Sequence, residues 1–186
     1  MPFSFQALEL AGMFLVETRN FPDGRGFFRE SFEAKSFREA GLPDRFVQDN
    51  HSRSTRGVLR GLHYQLDPHA QGKLVAAVTG SIFDVGVDIR RGSPTFGRWR
   101  GFELSEDNCR LLYIPPGFAH GFCVLSETAD VVYKVTGDYA PELDRGIAWD
   151  DPKLGIAWPV ENPVLSRKDQ TLPGLDEAEI NYTWPG

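Results

Sequence analysis

Cysteine is scarce in this chain: only Cys109 and Cys123 occur in 186 residues, and no CxxC pair exists. That excludes a disulfide framework and leaves no thiolate cluster for zinc or redox chemistry. Both cysteines sit in apolar runs and read as small buried hydrophobes of a reducing compartment. No run reaches the ~20 consecutive apolar residues that a membrane helix needs. The start, Met1-Pro2-Phe3-Ser4-Phe5-Gln6, has neither a basic segment nor a long apolar one, so no export signal is read there. Positive charge is also in deficit. The net charge of −6 argues against a nucleic-acid-binding surface, while leaving room for a local basic pocket. Repeats, low-complexity tracts and linkers are missing, so residues 1–186 read as one domain with a full core. The expectation is a cytoplasmic protein with no membrane or nucleic-acid partner.

What the chain does have is aromatics and turn formers: 14 Phe, 5 Tyr, 4 Trp, 19 Gly and 13 Pro. That mixture favours strands over helices. One helix is expected over Ser31–Ala40, capped by Ser31 and stopped by Gly41-Leu42-Pro43. A first strand is expected at Met13–Thr18. From Phe46 onward, short strands follow one another at 46–53, 57–65, 73–79, 82–89, 97–104, 109–114, 119–125 and 130–137, the pattern of an all-β sandwich or barrel. In the fourth of these, Ile82, Asp84, Gly86 and Asp88 share one face, and Phe83, Val85 and Val87 the other. The Pro-rich end, with Trp149, Trp158 and Trp184, is expected to pack back on the barrel.

Two segments carry polar groups where a buried strand should be apolar. Gly57-Val58-Leu59-Arg60-Gly61-Leu62-His63-Tyr64-Gln65 holds an Arg and a His; Pro115-Pro116-Gly117-Phe118-Ala119-His120 sets a second His at a strand start. This is the frame of the metal-binding cupins, which use His-x-His in the first motif and Pro-x-Gly-x-x-His in the second. The ligands differ. Gln65 replaces the second His of the pair, and Lys73 stands where a carboxylate is sought downstream. An ammonium has no lone pair for a metal, and two neutral His make a poor site, so no metal is expected. The other reading is an acid/base pocket. His63 is the base, Tyr133 a proton donor, and Lys73 and Arg60 hold an anion; either Asp84 or Asp169 can orient His63. Strict alternation puts Arg60 and His63 on opposite faces of their strand, so a bulge is expected near Gly61.

The chain resembles the dTDP-4-dehydrorhamnose 3,5-epimerase family over nearly its whole length. The resemblance rests on Asp23-Gly24-Arg25-Gly26-Phe27-Phe28-Arg29-Glu30, Gln48-Asp49-Asn50-His51-Ser52, Val58–Gln65, Gly72-Lys73, Phe83-Asp84-Val85, Asp88-Ile89-Arg90, Ser93–Gly97, Tyr113–Phe122 and Ser166-Arg167-Lys168-Asp169. It implies a cupin-type double-stranded β-helix, or jelly-roll barrel, with a few short helices and no metal or redox cofactor. It also implies a homodimer acting on dTDP-4-dehydro-6-deoxy-D-glucose. In that family's mechanism His63, paired with Asp169, removes the protons at C3 and C5; Tyr133 returns one at C5, and Lys73 stabilises the enolate. Arg25, Glu30, Gln48, Asn50, Arg60, His120 and Lys168 match positions that contact the nucleotide-sugar. Phe27 and Tyr139 offer rings to thymine. One departure is Asp144, at a position usually held by Glu. The rivals to this reading are an enzyme inverting only C3 or only C5, a metal-dependent cupin enzyme, and a non-catalytic sugar-nucleotide binder.

Overall fold

Period-two patterning over short stretches produces antiparallel strands, and here they form two sheets. The computed structural model describes residues 2–185. The first sheet runs in the order β1 (Ser4–Ala7), β2 (Phe14–Glu17), β10 (Arg110–Ile114), β7 (Lys73–Thr79), β12 (Thr128–Val135), β5 (Gln48–Thr55). The second runs β13 (Asp144–Gly146), β6 (Leu59–Gln65), β11 (Phe118–Val124), β8 (Ser81–Asp88), β9 (Trp99–Ser105). A separate hairpin, β3 (Phe21–Asp23) and β4 (Gly26–Phe28), pairs with neither. This is the cupin-type β architecture expected from the sequence.

The second sheet is covered on both faces, and the first on its inner face and over the centre of its outer one. Between the sheets, Val75, Leu112 and Val131 meet Ile82, Leu104 and Phe122. Outside the second sheet, Leu62, Val85 and Val87 pack under the tail residues Leu154, Leu175 and Ile180. Outside the first, Leu74, Leu111 and Tyr113 lie under Phe37 and Leu42. Double coverage explains why β11 is buried at every position. The expected alternation in β8 holds, but neither of its faces meets solvent at Val85 or Asp84. The tail packs back as expected: Trp158 donates its indole N–H to the Trp149 carbonyl, and Val58 bridges to Val164.

The helix differs from its expected span. It covers Ala34–Glu39, and Glu33, not Ser31, caps it by accepting the amides of Lys35 and Ser36. Phe32 belongs to an aromatic cluster with Phe37 and Phe46, which holds the preceding residues out of the helix. The strands β5 and β12 are also displaced by two residues from 46–53 and 130–137. Their pairing runs from Gln48↔Val135 to Thr55↔Thr128. Buried Asp130 accepts a fork from Arg53 and a bond from His51, which carries the ladder through residues that look like loop.

The expected irregularity at Gly61 is present. His63 pairs with His120 and Arg60 with Phe122, so three steps on β6 span two on β11. The bulge brings Arg60 and His63 into one cavity despite their odd spacing. Gly61 has φ 128, and a Cβ there would stand 2.6 Å from the Gly121 Cα and 2.8 Å from the His120 carbonyl oxygen. No L side chain fits either the dihedral or the space. Gly61→Ala is therefore expected to lose about 2 kcal/mol or more. Thermal unfolding checks this; an unchanged melting temperature would contradict the close approach.

Candidate active site

The cavity lies inside the barrel, with walls from both sheets. β6 contributes Arg60 and His63, β11 His120 and Phe122, β7 Lys73, β12 Tyr133, β5 Ser52, and β13 Asp144. The segment from Val164 to Asp169 closes one side with Ser166, Lys168 and Asp169. Its volume is about 440 Å³. A second cavity of about 290 Å³ adjoins it and adds Gln48, Asn50, Gln71 and Tyr139. His63, Lys73, Tyr133, Asp144 and Lys168 line both, so the two form one bipartite cleft.

Two His–Asp pairs stand in this cleft, and they settle which carboxylate serves which ring. His63 Nε2 is 2.5 Å from Asp169 Oδ1, and His120 Nε2 is 2.7 Å from Asp84 Oδ1. Asp169 begins a short 3-10 turn and donates its backbone N–H to Ser166 Oγ. Burial alone pushes the Asp169 carboxyl up. The bond and charge of His63, with Ser166 and Lys168, outweigh it and hold the acid below its ordinary value. An ionised Asp169 accepts the hydrogen bond of the Nε2–H, leaving Nδ1 as the basic nitrogen of His63. His120 is different. It is buried, and desolvation pulls its pKa below the ordinary value despite Asp84, so its ring is neutral at neutral pH.

The other polar groups fall into an ordered set. Lys73 is lowered to about 8 by desolvation, against the pull of Asp144 and Asp84. Burial raises the Tyr133 phenol, which keeps its proton at neutral pH although Arg60 opposes the shift. Arg60 donates from Nε and Nη2 to Ser54 Oγ at 3.1 and 3.0 Å. Gln48 donates to Asn50 Oδ1 at 2.7 Å. At the mouth, Asp144 Oδ2 accepts from Lys168 and from the Tyr139 hydroxyl. His63 on the second sheet and Tyr133 on the first stand on opposite walls, with Lys73 lining the same cavity.

Gln65 is not available as a ligand. Its amide donates to the His69 and Asp138 carbonyls and accepts the Ala140 N–H, so it anchors the loop that carries Tyr139. Among the described residues, no group of three or more His, Cys, Asp or Glu is arranged to hold a metal.

Of the fourteen expected site residues, Arg25, Phe27 and Glu30 line neither cavity. They lie on or beside the β3–β4 hairpin, which joins no barrel sheet. Arg25 turns back onto Asp23, and Phe27 is 62% exposed under the Arg29 guanidinium. The sequence reading missed Ser52, Ser54 and Ser166. The first two alternate with Gln48 and Asn50 on one face of β5, a period-two signal that was present but lacked a partner to give it meaning.

The family profile described as dTDP-4-dehydrorhamnose 3,5-epimerase matches residues 7–177. The chain is 59% identical over 175 residues to the dTDP-4-dehydrorhamnose 3,5-epimerase of Shigella flexneri, covering 94% of this chain and 96% of the relative. A solved dTDP-6-deoxy-D-glucose-3,5-epimerase from Legionella pneumophila, in complex with dTDP-4-keto-L-rhamnose, is 50% identical with a TM-score of 0.90 and covers 94% of each chain. A 3'-monoepimerase from Streptomyces bikiniensis, solved with dTDP-quinovose, is 38% identical with a TM-score of 0.87, covering 92% of this chain and 87% of the other. With its fold, its paired histidines and these matches together, the chain belongs to the dTDP-4-dehydrorhamnose 3,5-epimerase family.

Proposed function

We propose that this chain, acting as one domain, inverts C3 and C5 of dTDP-4-dehydro-6-deoxy-D-glucose to give dTDP-4-dehydro-L-rhamnose, with His63 as the base. The observation that carries the assignment of roles is the pair of opposed walls. The His63–Asp169 dyad stands on one and the Tyr133 phenol on the other. A 4-keto group acidifies the protons on both neighbouring carbons. His63 Nδ1 takes a proton, the electron pair moves into the C4–oxygen system, and the imidazolium is held by Asp169. The Lys73 ammonium stabilises the enolate oxygen. Tyr133 returns a proton at C5 and solvent water returns one at C3, each from the face opposite His63, which inverts both centres. The reaction moves protons only and involves no change of oxidation state.

Arg60 and Lys168 suit the diphosphate, and neutral His120 donates to or accepts from the sugar. Gln48, Asn50, Asp144 and the Tyr139 ring suit the nucleoside end of the cleft. The assembly is a homodimer in which Arg25, Phe27 and Glu30 complete the nucleoside site of the partner. Support comes from the exposed aromatic hairpin: Phe21, Phe27 and Phe28 are all open to solvent, more apolar surface than an isolated hairpin should show. Cytoplasmic residence belongs to the same reading and agrees with two free, buried thiols.

Turnover in deuterium oxide is expected to place deuterium at both C3 and C5. Exchange at one carbon alone would favour the monoepimerase reading, which the Streptomyces bikiniensis neighbour makes the nearest rival. Tyr133→Phe should keep exchange at C3 while losing inversion at C5; equal loss at both would contradict the role given to the phenol. Lys73 carries its charge below about pH 8 and loses it above. The value of kcat/KM is therefore expected to fall as pH rises through about 8, and Lys73→Arg should abolish that alkaline limb. A limb unchanged in Lys73→Arg would show that another group titrates. Sedimentation should give a dimer, and mixing His63→Ala with Phe27→Ala protomers should restore sites that neither variant has alone. A monomer at micromolar concentration would sink the shared site.

A further inference from the structure

The inward face of β5 is a row of polar side chains at positions 48, 50, 52 and 54, and three of the four are engaged. Gln48 and Asn50 bond to each other, and Ser54 takes the guanidinium of Arg60. Ser52 is the exception. Its hydroxyl oxygen is buried and has no hydrogen-bond partner, a condition shared among the described residues only by one oxygen of Asp84. Ser52 nonetheless lines the cavity that holds His63 and Tyr133. Its cross-strand neighbour is Val131, which offers nothing polar, and Tyr133 is its diagonal neighbour, opposite Asn50. An unmatched hydroxyl in a buried setting is costly, and in native proteins it calls for an explanation. Here the hydroxyl stands in a polar cleft, between the Arg60 clamp at Ser54 and the Tyr133 phenol.

We infer that Ser52 is a specificity-determining residue whose Oγ hydrogen-bonds the C2 hydroxyl of the hexose. The inference rests on the epimerase reading above, and three points of chemistry lead to C2. Arg60 suits the diphosphate, which is attached at C1, and Tyr133 serves C5. A group between them meets the ring on its C1 side, where the only hydroxyl within reach is the one on C2. The substrate has ring hydroxyls only at C2 and C3, since C4 is a ketone and C6 is deoxygenated. The C3 hydroxyl changes sides during the reaction, so a fixed partner cannot hold it in both substrate and product. The C2 hydroxyl keeps its configuration throughout. A bond to it holds the ring while the carbons on either side of the ketone are inverted, and keeps C5 in line with the phenol.

The experiment compares the natural substrate with its 2-deoxy analogue, on wild type and on Ser52→Ala. Wild type is expected to prefer the 2-hydroxy substrate by roughly tenfold in kcat/KM, the size of one hydrogen bond made inside a cleft. Ser52→Ala should lose that factor on the 2-hydroxy substrate and lose nothing further on the 2-deoxy one. Its affinity for dTDP, which has no hexose, should equal that of wild type. Its ligand-free melting temperature should be equal or higher, because an unmatched buried hydroxyl has been removed. Equal losses on both substrates, or activity within twofold of wild type on the natural one, would overturn the inference. Should the variant fold poorly, wild type alone decides: equal kcat/KM for the two substrates refutes the role of Ser52. Wild type with no proton exchange on either substrate would overturn the epimerase reading itself, a result distinct from the others.

Discussion

Two glycines in contact set the geometry of the whole site. Gly61 and Gly121 press backbone against backbone where β6 and β11 meet, and the contact admits no Cβ. The register slips there, and the slip aims Arg60 and His63 into the same space. Because His120 pairs with His63 across the same ladder, the bulge also fixes the distance between the two imidazoles. The second sheet is buried on both faces around this point, by the inter-sheet core and by the tail. Close packing on both sides leaves the bulge no room to relax, and the rings inherit that rigidity.

The electrostatics of the cleft follow from the same enclosure. The chain is acidic overall, yet the cleft gathers Arg60, Lys73 and Lys168. Each carboxylate near it is already engaged: Asp169 with His63, Asp84 with His120, and Asp144 with Lys168. The two histidines, alike in sequence context, are thereby given different work. His63 is partly open to the cavity and has an ionised acid behind it, which is the arrangement of a base. His120 is almost sealed and is kept neutral by desolvation, which is the arrangement of a hydrogen-bonding group.

How far the site could be read from sequence depended on how local each signal was. His63, His120, Lys73 and Tyr133 were legible because each sits as a polar intrusion in an apolar strand. The bulge was legible from a parity argument, since Arg60 and His63 differ by an odd number. The choice between Asp84 and Asp169 was not, because it depends on where a Pro-rich tail lies after folding. The alternation that marks Ser52 and Ser54 had no meaning on its own for a related reason. Their surroundings are built by β6 and β12, far away in the chain. Among the elements, the helix start was misplaced because Ser31 is the better cap by type, whereas Phe32 is drawn into an aromatic cluster. Propensity yielded there to tertiary packing.

The tie between His63 and Asp169 spans 106 positions of sequence. His63 lies in a central strand of its sheet, while Asp169 arrives only with the tail, beyond every strand of the barrel. Closing so long a loop costs chain entropy that local contacts cannot offset. The barrel alone therefore encloses a cleft with an imidazole whose proton position is unset. Docking of the tail at Leu154, Leu175 and Ile180 is what brings the carboxylate of Asp169 to that imidazole. The cavity and the dyad thus have separate origins in the chain: the strands enclose the cleft, and the tail brings the acid to it.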